Sequence, residues 1–280
     1  MLQSVRVIFM SDSITFFNDI SYGSHERQVV DLLIPEKTES DRGIILFIHG
    51  GGWHSGDKSA HSDDALHFCR LGYVSATMNY RFVSEAVSVF DELDDITAAL
   101  KCLKNKCAEK GIKINKVLLS GASAGAHLAL MYAYTRKNQA PVAPVAVCAY
   151  SSPLNCAGTD FLNGISDKFD DWKYDLLSKC SGFKISKSDA MNEKQQDALR
   201  RISPEKYVTA DCVPTAVFHG RYDDLCPVEH SYSFLELLKT NGVENDFLLY
   251  ENSGHTLDKD PDTALRSKEI MRIYAEKYLR

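Results

Sequence analysis

At 280 residues the chain is long enough for one α/β domain with a sizeable core. Its composition is that of an ordinary globular protein, 44% hydrophobic and 25% charged, and its net charge of −6 argues against a basic nucleic-acid face or a polybasic membrane anchor. The start, Met1 to Ile14, holds one apolar patch (Val5 to Met10) broken by Arg6 and followed by Ser11, Asp12 and Ser13, which is too short and polar for a signal peptide. No run approaches a membrane span. The eight cysteines include no Cys-x-x-Cys pair, so the expectation is reduced, mostly buried thiols in a cytoplasmic protein rather than disulfides or a thiolate zinc site.

Residues 1–42 are expected to supply leading antiparallel strands. The run Gly43 to Ile48 is continuously apolar and rich in β-branched residues, the pattern of a central strand covered on both faces. It ends at His49-Gly50-Gly51-Gly52. A helix over Ser62–Arg70 stops near Gly72, and Tyr73–Met78 reads as the next strand. Leu93, Ile96, Leu100, Leu103 and Cys107 recur at helical spacing before Gly111. Strand Lys116–Ser120, a small-residue-rich helix over Ala124–Tyr134 and strand Val145–Tyr150 follow. Residues 154–205 break the rhythm: the stretch is polar, carries Phe161, Phe169, Trp172, Tyr174 and Phe183, and reads as a cap inserted in a single domain spanning 1–280. The alternation resumes with strand Thr215–His219, helix Val228–Thr240, strand Asp246–Tyr250 and helix Asp262–Tyr278. Strands alternating with helices predict an α/β fold with a mainly parallel sheet and helices on both faces.

Gly121-Ala122-Ser123-Ala124-Gly125 matches the Gly-x-Ser-x-Gly nucleophile elbow, and here it has the required context of a strand before and a helix after. Such a turn is sharp and strained, so residues beside the serine must be small. Ester attack by Ser123 would produce an oxyanion, which needs backbone N–H groups aimed at it in advance. The glycines after the buried strand allow that placement, with Ala124 at the start of the next helix as a further donor. His49 is read as a structural residue holding the glycine loop, since it precedes the serine in the chain.

Serine hydrolases built on this elbow carry the acid and then the base after the serine. Asp223, in the turn after strand Thr215–His219, is the acid of choice over the adjacent Asp224 and over Glu229 in the next helix. His255, in Asn252-Ser253-Gly254-His255, is the base of choice over His219 at a strand end and His230 on a helix. The histidines show no His-Glu-x-x-His or similar metal-ligand spacing, and the scheme needs no cofactor.

These segments, from His49-Gly50-Gly51-Gly52-Trp53 through Asn79-Tyr80-Arg81, Gly121 to His127-Leu128, Ser203-Pro204, and His219-Gly220 with Asp223 and Pro227, to Ser253-Gly254-His255, together resemble the esterase/lipase branch of the α/β hydrolases, including acetyl esterases and hormone-sensitive-lipase-like enzymes. The resemblance implies an α/β-hydrolase fold, Ser123, Asp223 and His255 as a triad, and Gly51, Gly52 and Ala124 as anion-hole donors. It departs at Ala126 and Cys226, and most in the cap. The expected activity is hydrolysis of short-acyl esters, acetylated sugars among them, with a small-molecule ester as partner and a homodimer compatible with the resemblance. An amide hydrolase of the kynurenine formamidase type is the second reading, because the His49–Trp53 motif resembles that group too. A catalytically silent binding member of the fold is the third, disfavoured because all three triad positions are filled.

Overall fold

Five apolar residues in a row, Ile44–Ile48, form β3, and alternate residues serve opposite faces of the sheet. Ile44, Leu46 and Ile48 join one core, while Ile45 and Phe47 join the other. This is why the sequence is continuously apolar instead of alternating: both faces are covered. The computed structural model describes residues 13–37, 43–158, 160, 161, 170–186 and 191–280. Of the stretch 1–14, where a signal peptide was sought, residues 1–12 lie outside the described residues.

The sheet has eight strands in the order β1-β2-β4-β3-β5-β6-β7-β8. β1 (Ile14–Ser21), β2 (Val29–Pro35) and β4 (Val74–Met78) pair antiparallel in turn, as expected of the leading strands. β3, β5 (Lys116–Ala122), β6 (Ala143–Tyr150), β7 (Thr215–Gly220) and β8 (Asn245–Tyr250) continue in parallel from β4. Parallel neighbours need helical crossovers, and the helices fall on both sides. α1 (Ser62–Arg70) and α7 (Pro261–Tyr278) cover one face; α2 (Val89–Ala108), α3 (Ala124–Thr135) and α6 (Val228–Thr240) cover the other. α3 is apolar all round because it is surrounded: every residue from Ala124 to Ala133 is buried.

The crossover from β6 to β7 carries α4 (Asp170–Ser181) and α5 (Glu193–Arg201). These helices were not legible as such, because they are polar outside a narrow seam. Leu176, Leu177, Cys180, Ala198 and Leu199 supply that seam and join the α2–α3 core. Asn192 and Gln195 form a reciprocal capping box that starts α5. Phe161 is buried in the same core, and Phe169 lies outside the described residues. All eight cysteines are free thiols, six of them buried. Among the described residues no helix is long and apolar enough to cross a membrane.

Register decides where the loops meet. Ile48 sits beside Gly121, Ala122 beside Tyr150, and Gly220 beside Tyr250. The loops that leave β3, β5, β7 and β8 therefore converge at one edge of the sheet, the carboxyl end where open α/β sheets bind ligands.

Candidate active site

Ser123 links β5 to α3 with φ +53° and ψ −122°, a backbone conformation that side-chain-bearing residues rarely adopt. Its N–H donates to the Tyr150 carbonyl at 2.8 Å, and its own carbonyl accepts from His127 N at 3.0 Å. The turn is closed enough that a Cβ at Gly125 would collide with the Ile48 carbonyl oxygen of the neighbouring strand. Glycine at 125 is thus a packing requirement of the elbow.

His255 Nε2 lies 2.9 Å from Ser123 Oγ, and its Nδ1 lies 2.8 Å from Asp223 Oδ2. A carboxylate only accepts, so Nδ1 carries the proton and Nε2 is the acceptor facing the serine hydroxyl. The loop holding His255 is stapled from below. Asp260, buried, accepts from the Asn252 side chain at 2.7 Å and from Ser253 Oγ at 2.6 Å. Asp224 and Glu229, weighed against Asp223, are both exposed.

Asp223 is buried and fully engaged. Its Oδ1 accepts from the N–H groups of Leu225 at 3.0 Å and Cys226 at 2.8 Å. Its Oδ2 also lies 3.1 Å from His219 Nε2. Burial works against ionisation, but the hydrogen bonds from His219 and His255 outweigh it and hold the carboxyl well below the usual carboxylate range. His219 Nε2 also faces the Cys226 carbonyl at 2.7 Å, and its Nδ1 lies 2.8 Å from Ser231 Oγ. His219 thus presents an N–H that orients Asp223, a role that its place at a strand end did not disclose. Asp223, Cys226 and His255 bring metal-ligating atoms within 4.8 Å of one another. Both Asp223 oxygens are already hydrogen-bonded, and burial pushes the Cys226 thiol well up, so the set fits hydrogen bonding better than metal ligation.

Gly51 and Gly52 take φ +113° and +58°, and Trp53 follows at +62°. Among the described residues the N–H groups of Gly51, Gly52 and Ala124 donate no hydrogen bond within the protein. The loop is clamped on three sides. His49 Nδ1 donates to the Gly50 carbonyl at 2.7 Å, and its Nε2 accepts from Arg27 at 3.2 Å. The Tyr80 hydroxyl donates to the His49 carbonyl at 2.9 Å, under a stacked imidazole. Trp53 Nε1 donates to His127 Nδ1 at 3.1 Å, and His127 Nε2 donates to the Ile202 carbonyl at 2.6 Å. His49 thus holds the glycine loop as expected. Arg27, Tyr80 and His127 were missed as its supports, since only the fold brings them together.

Burial holds the His49 and His127 imidazoles down to about 4. An unfolded histidine titrates near 6.5. Between those values the unfolded chain binds the protons and the folded chain does not, so stability is complete above pH ~6.5 and is lost as pH falls toward 4. Each histidine accounts for ~3 kcal/mol of that loss. His127→Gln keeps an acceptor for Trp53 and a donor for Ile202. Its melting temperature is expected to fall less steeply than that of wild type between pH 6.5 and 4, and parallel curves would reject this account.

The cavity beside Ser123 and His255 has a volume of about 370 Å³ and is lined from the sheet, α1 and α7. Among the described residues, no aromatic side chain of 154–205 lines it. Tyr174 and Phe183 instead border a separate cavity of about 750 Å³ between the segment before α2 and α4, which touches no triad position.

The BD-FAE family's profile matches residues 30–238. The chain belongs to the BD-FAE family. It is 27% identical over 253 residues to the "Probable isoprenylcysteine alpha-carbonyl methylesterase ICMEL1" of Arabidopsis thaliana, covering 85% of this chain and 50% of that protein. It is 24% identical to the kynurenine formamidase of Drosophila melanogaster, covering 88% of this chain and 77% of that protein. The chain spans about half the length of the methylesterase relatives it matches. Among solved structures, esterase B from Lactobacillus Rhamnosis superposes with a TM-score of 0.74 at 20% identity, covering 95% of this chain and 86% of that one. The fold is that of the α/β hydrolases, of esterase/lipase type, as the sequence motifs implied.

Proposed function

We propose that this BD-FAE member is a serine carboxylesterase acting on small-molecule esters with short acyl groups. The observation that carries the reading is the hydrogen-bonded chain Ser123–His255–Asp223 at a strained elbow. His255 Nε2 takes the Ser123 proton as Oγ bonds to the ester carbon. The oxyanion is stabilised by the N–H groups of Gly51, Gly52 and Ala124, each such donor being worth ~3–4 kcal/mol of barrier in comparable enzymes. His255 then gives the proton to the departing alkoxide, leaving an acyl-serine, and water reverses the sequence to release the acid. Asp223 fixes the imidazole tautomer and stabilises its cation.

Residues 154–205 act as a cap in this reading. The support is Trp172 of α4, which packs edge-to-face on His54, with ring centroids 5.4 Å apart, directly after the glycine loop. Free thiols throughout suit a reducing, cytoplasmic compartment.

Amide hydrolysis of the formamidase kind is the second reading, favoured by the 77% of the Drosophila formamidase that this chain covers. The same triad would serve both. The test compares p-nitrophenyl acetate, butyrate and octanoate with N-formylkynurenine, each with wild type and Ser123→Ala. Ser123-dependent turnover of acetate or butyrate supports the esterase, and preference for formylkynurenine moves the assignment to the amidase. Activity equal in both proteins removes Ser123 from the mechanism.

A further inference from the structure

The cavity of about 370 Å³ is bordered by Ser123 and His255 but by none of Gly51, Gly52 and Ala124. That asymmetry assigns its occupant. In the tetrahedral intermediate the oxyanion points at the glycine loop, and the leaving oxygen must lie within reach of His255 Nε2 to receive its proton. A pocket that is bordered by His255, the proton donor to the leaving oxygen, but not by the anion-hole donors lies on the side of the leaving group. We infer that this pocket binds the alcohol portion of the ester, and that the preferred substrates are short-acyl esters of a neutral, apolar alcohol. The inference rests on the carboxylesterase reading above.

The lining sets the class of alcohol. Phe47, Phe68, Tyr250 and Met271 form an apolar body beneath the catalytic pair. The charged side chains at its wall are already matched: Asp64 pairs with His61 at 3.1 Å and with Lys268 at 2.9 Å. A charged alcohol would have to break that arrangement, whereas an uncharged one would not. The volume holds about a dozen non-hydrogen atoms at ~30 Å³ each, enough for a six-carbon chain or a phenylethyl group.

Backbone strain marks the same place. Of the five non-glycine residues with positive φ among the described residues, three line this pocket: Ser123, Ser151 at +46° and Leu257 at +57°. Strained residues persist where the surroundings over-determine them, commonly at active sites and ligand clamps. Leu257 lies two residues beyond His255 and forms part of the pocket wall, so the loop that positions the base also shapes the alcohol site.

The test uses two ester series on the whole chain. One holds the acid constant as acetate and varies the alcohol through methanol, butanol, hexanol and 2-phenylethanol, whose similar acidities keep intrinsic reactivity comparable. The other holds the alcohol as methanol and lengthens the acid. Rates along the two series are expressed per serine titrated with a fluorophosphonate, and rates compared with Ser123→Ala per mole of protein. The expected result is a rise in kcat/KM of tenfold or more from methyl to hexyl acetate, at up to about fourfold per buried methylene, with no matching rise along the methyl-ester series. Ala264→Phe, which fills the pocket from the first turn of α7, is expected to erase that rise. Leu257→Gly, which relieves the positive φ and widens the wall, is expected to shift the optimum to longer alcohols and stands independently if Ala264→Phe fails to fold. A gain that follows the acid series, or two flat series, overturns the alcohol-pocket assignment while leaving the esterase intact. Wild-type rates no greater than those of Ser123→Ala overturn the esterase reading itself, and the pocket assignment with it.

Discussion

Ser123→Ala is expected to lower kcat for ester hydrolysis by about 10⁵–10⁶-fold, the scale seen when a triad nucleophile is removed from other serine hydrolases. KM should change little, because the pocket and the anion hole remain. The protein should stay folded: the backbone bonds of residue 123 to Tyr150 and His127 do not involve its side chain. Backbone strain provides a second readout. Alanine at φ +53° keeps the steric penalty that glycine escapes. Ser123→Gly should therefore be as inactive as Ser123→Ala but more stable than it by about 1 kcal/mol, measured by denaturant unfolding. Equal stability of the two variants would mean that the elbow is not strained, and retained activity in either would assign the chemistry to another residue.

Asp223→Asn is expected to lower kcat by about 10⁴-fold, as the corresponding change does in a chymotrypsin-type triad. Four N–H donors surround the carboxylate: Leu225 and Cys226 on one oxygen, His219 and His255 on the other. An amide offers one oxygen and one NH₂, so in either orientation its NH₂ meets two donors. If the NH₂ faces the histidines, His255 must accept at Nδ1 and hold its proton on Nε2. In that tautomer it cannot take the Ser123 proton. If the NH₂ faces the backbone, the loop from Asp223 to Cys226 must open. The two outcomes separate experimentally. The first leaves the melting temperature near that of wild type and restores activity as pH rises and hydroxide assists the serine; the second lowers the melting temperature by several degrees. A variant within tenfold of wild type would remove Asp223 from the mechanism.

How much of this was legible beforehand depends on distance along the chain. Ser123 was readable because the elbow is local: strand, small residues, serine and helix follow one another within Lys116–Thr135. Asp223 and His255 were readable because chain order and strand ends narrow the choice. The supports were not. Arg27 reaches His49 from 22 residues away, Trp53 reaches His127 across 74, and Ile202 closes that line from the far side of the β6–β7 crossover. Side chains in such networks carry no periodic signal, since each is a single residue whose partner is chosen by packing. The helices of the crossover were not legible for a related reason. α4 and α5 are polar helices whose few apolar residues meet a core built by other elements, so their pattern reads as surface.

The sequence by itself determined the parallel sheet, the two-sided core and the position of the elbow. These follow from runs and periods of apolar residues, and from glycines where a Cβ has no room, all local constraints on the chain. The tertiary structure alone decided which histidines serve which acids. Strand register brought the ends of β3, β5, β7 and β8 together, giving His255 to Ser123, His219 to Asp223 and His127 to Trp53. It also decided that the cavity beside the serine is walled by the sheet, α1 and α7 and, among the described residues, by no aromatic side chain of the crossover. A hydrogen bond or a pocket wall requires atoms within a few ångströms, and only the packed chain sets distances of that size.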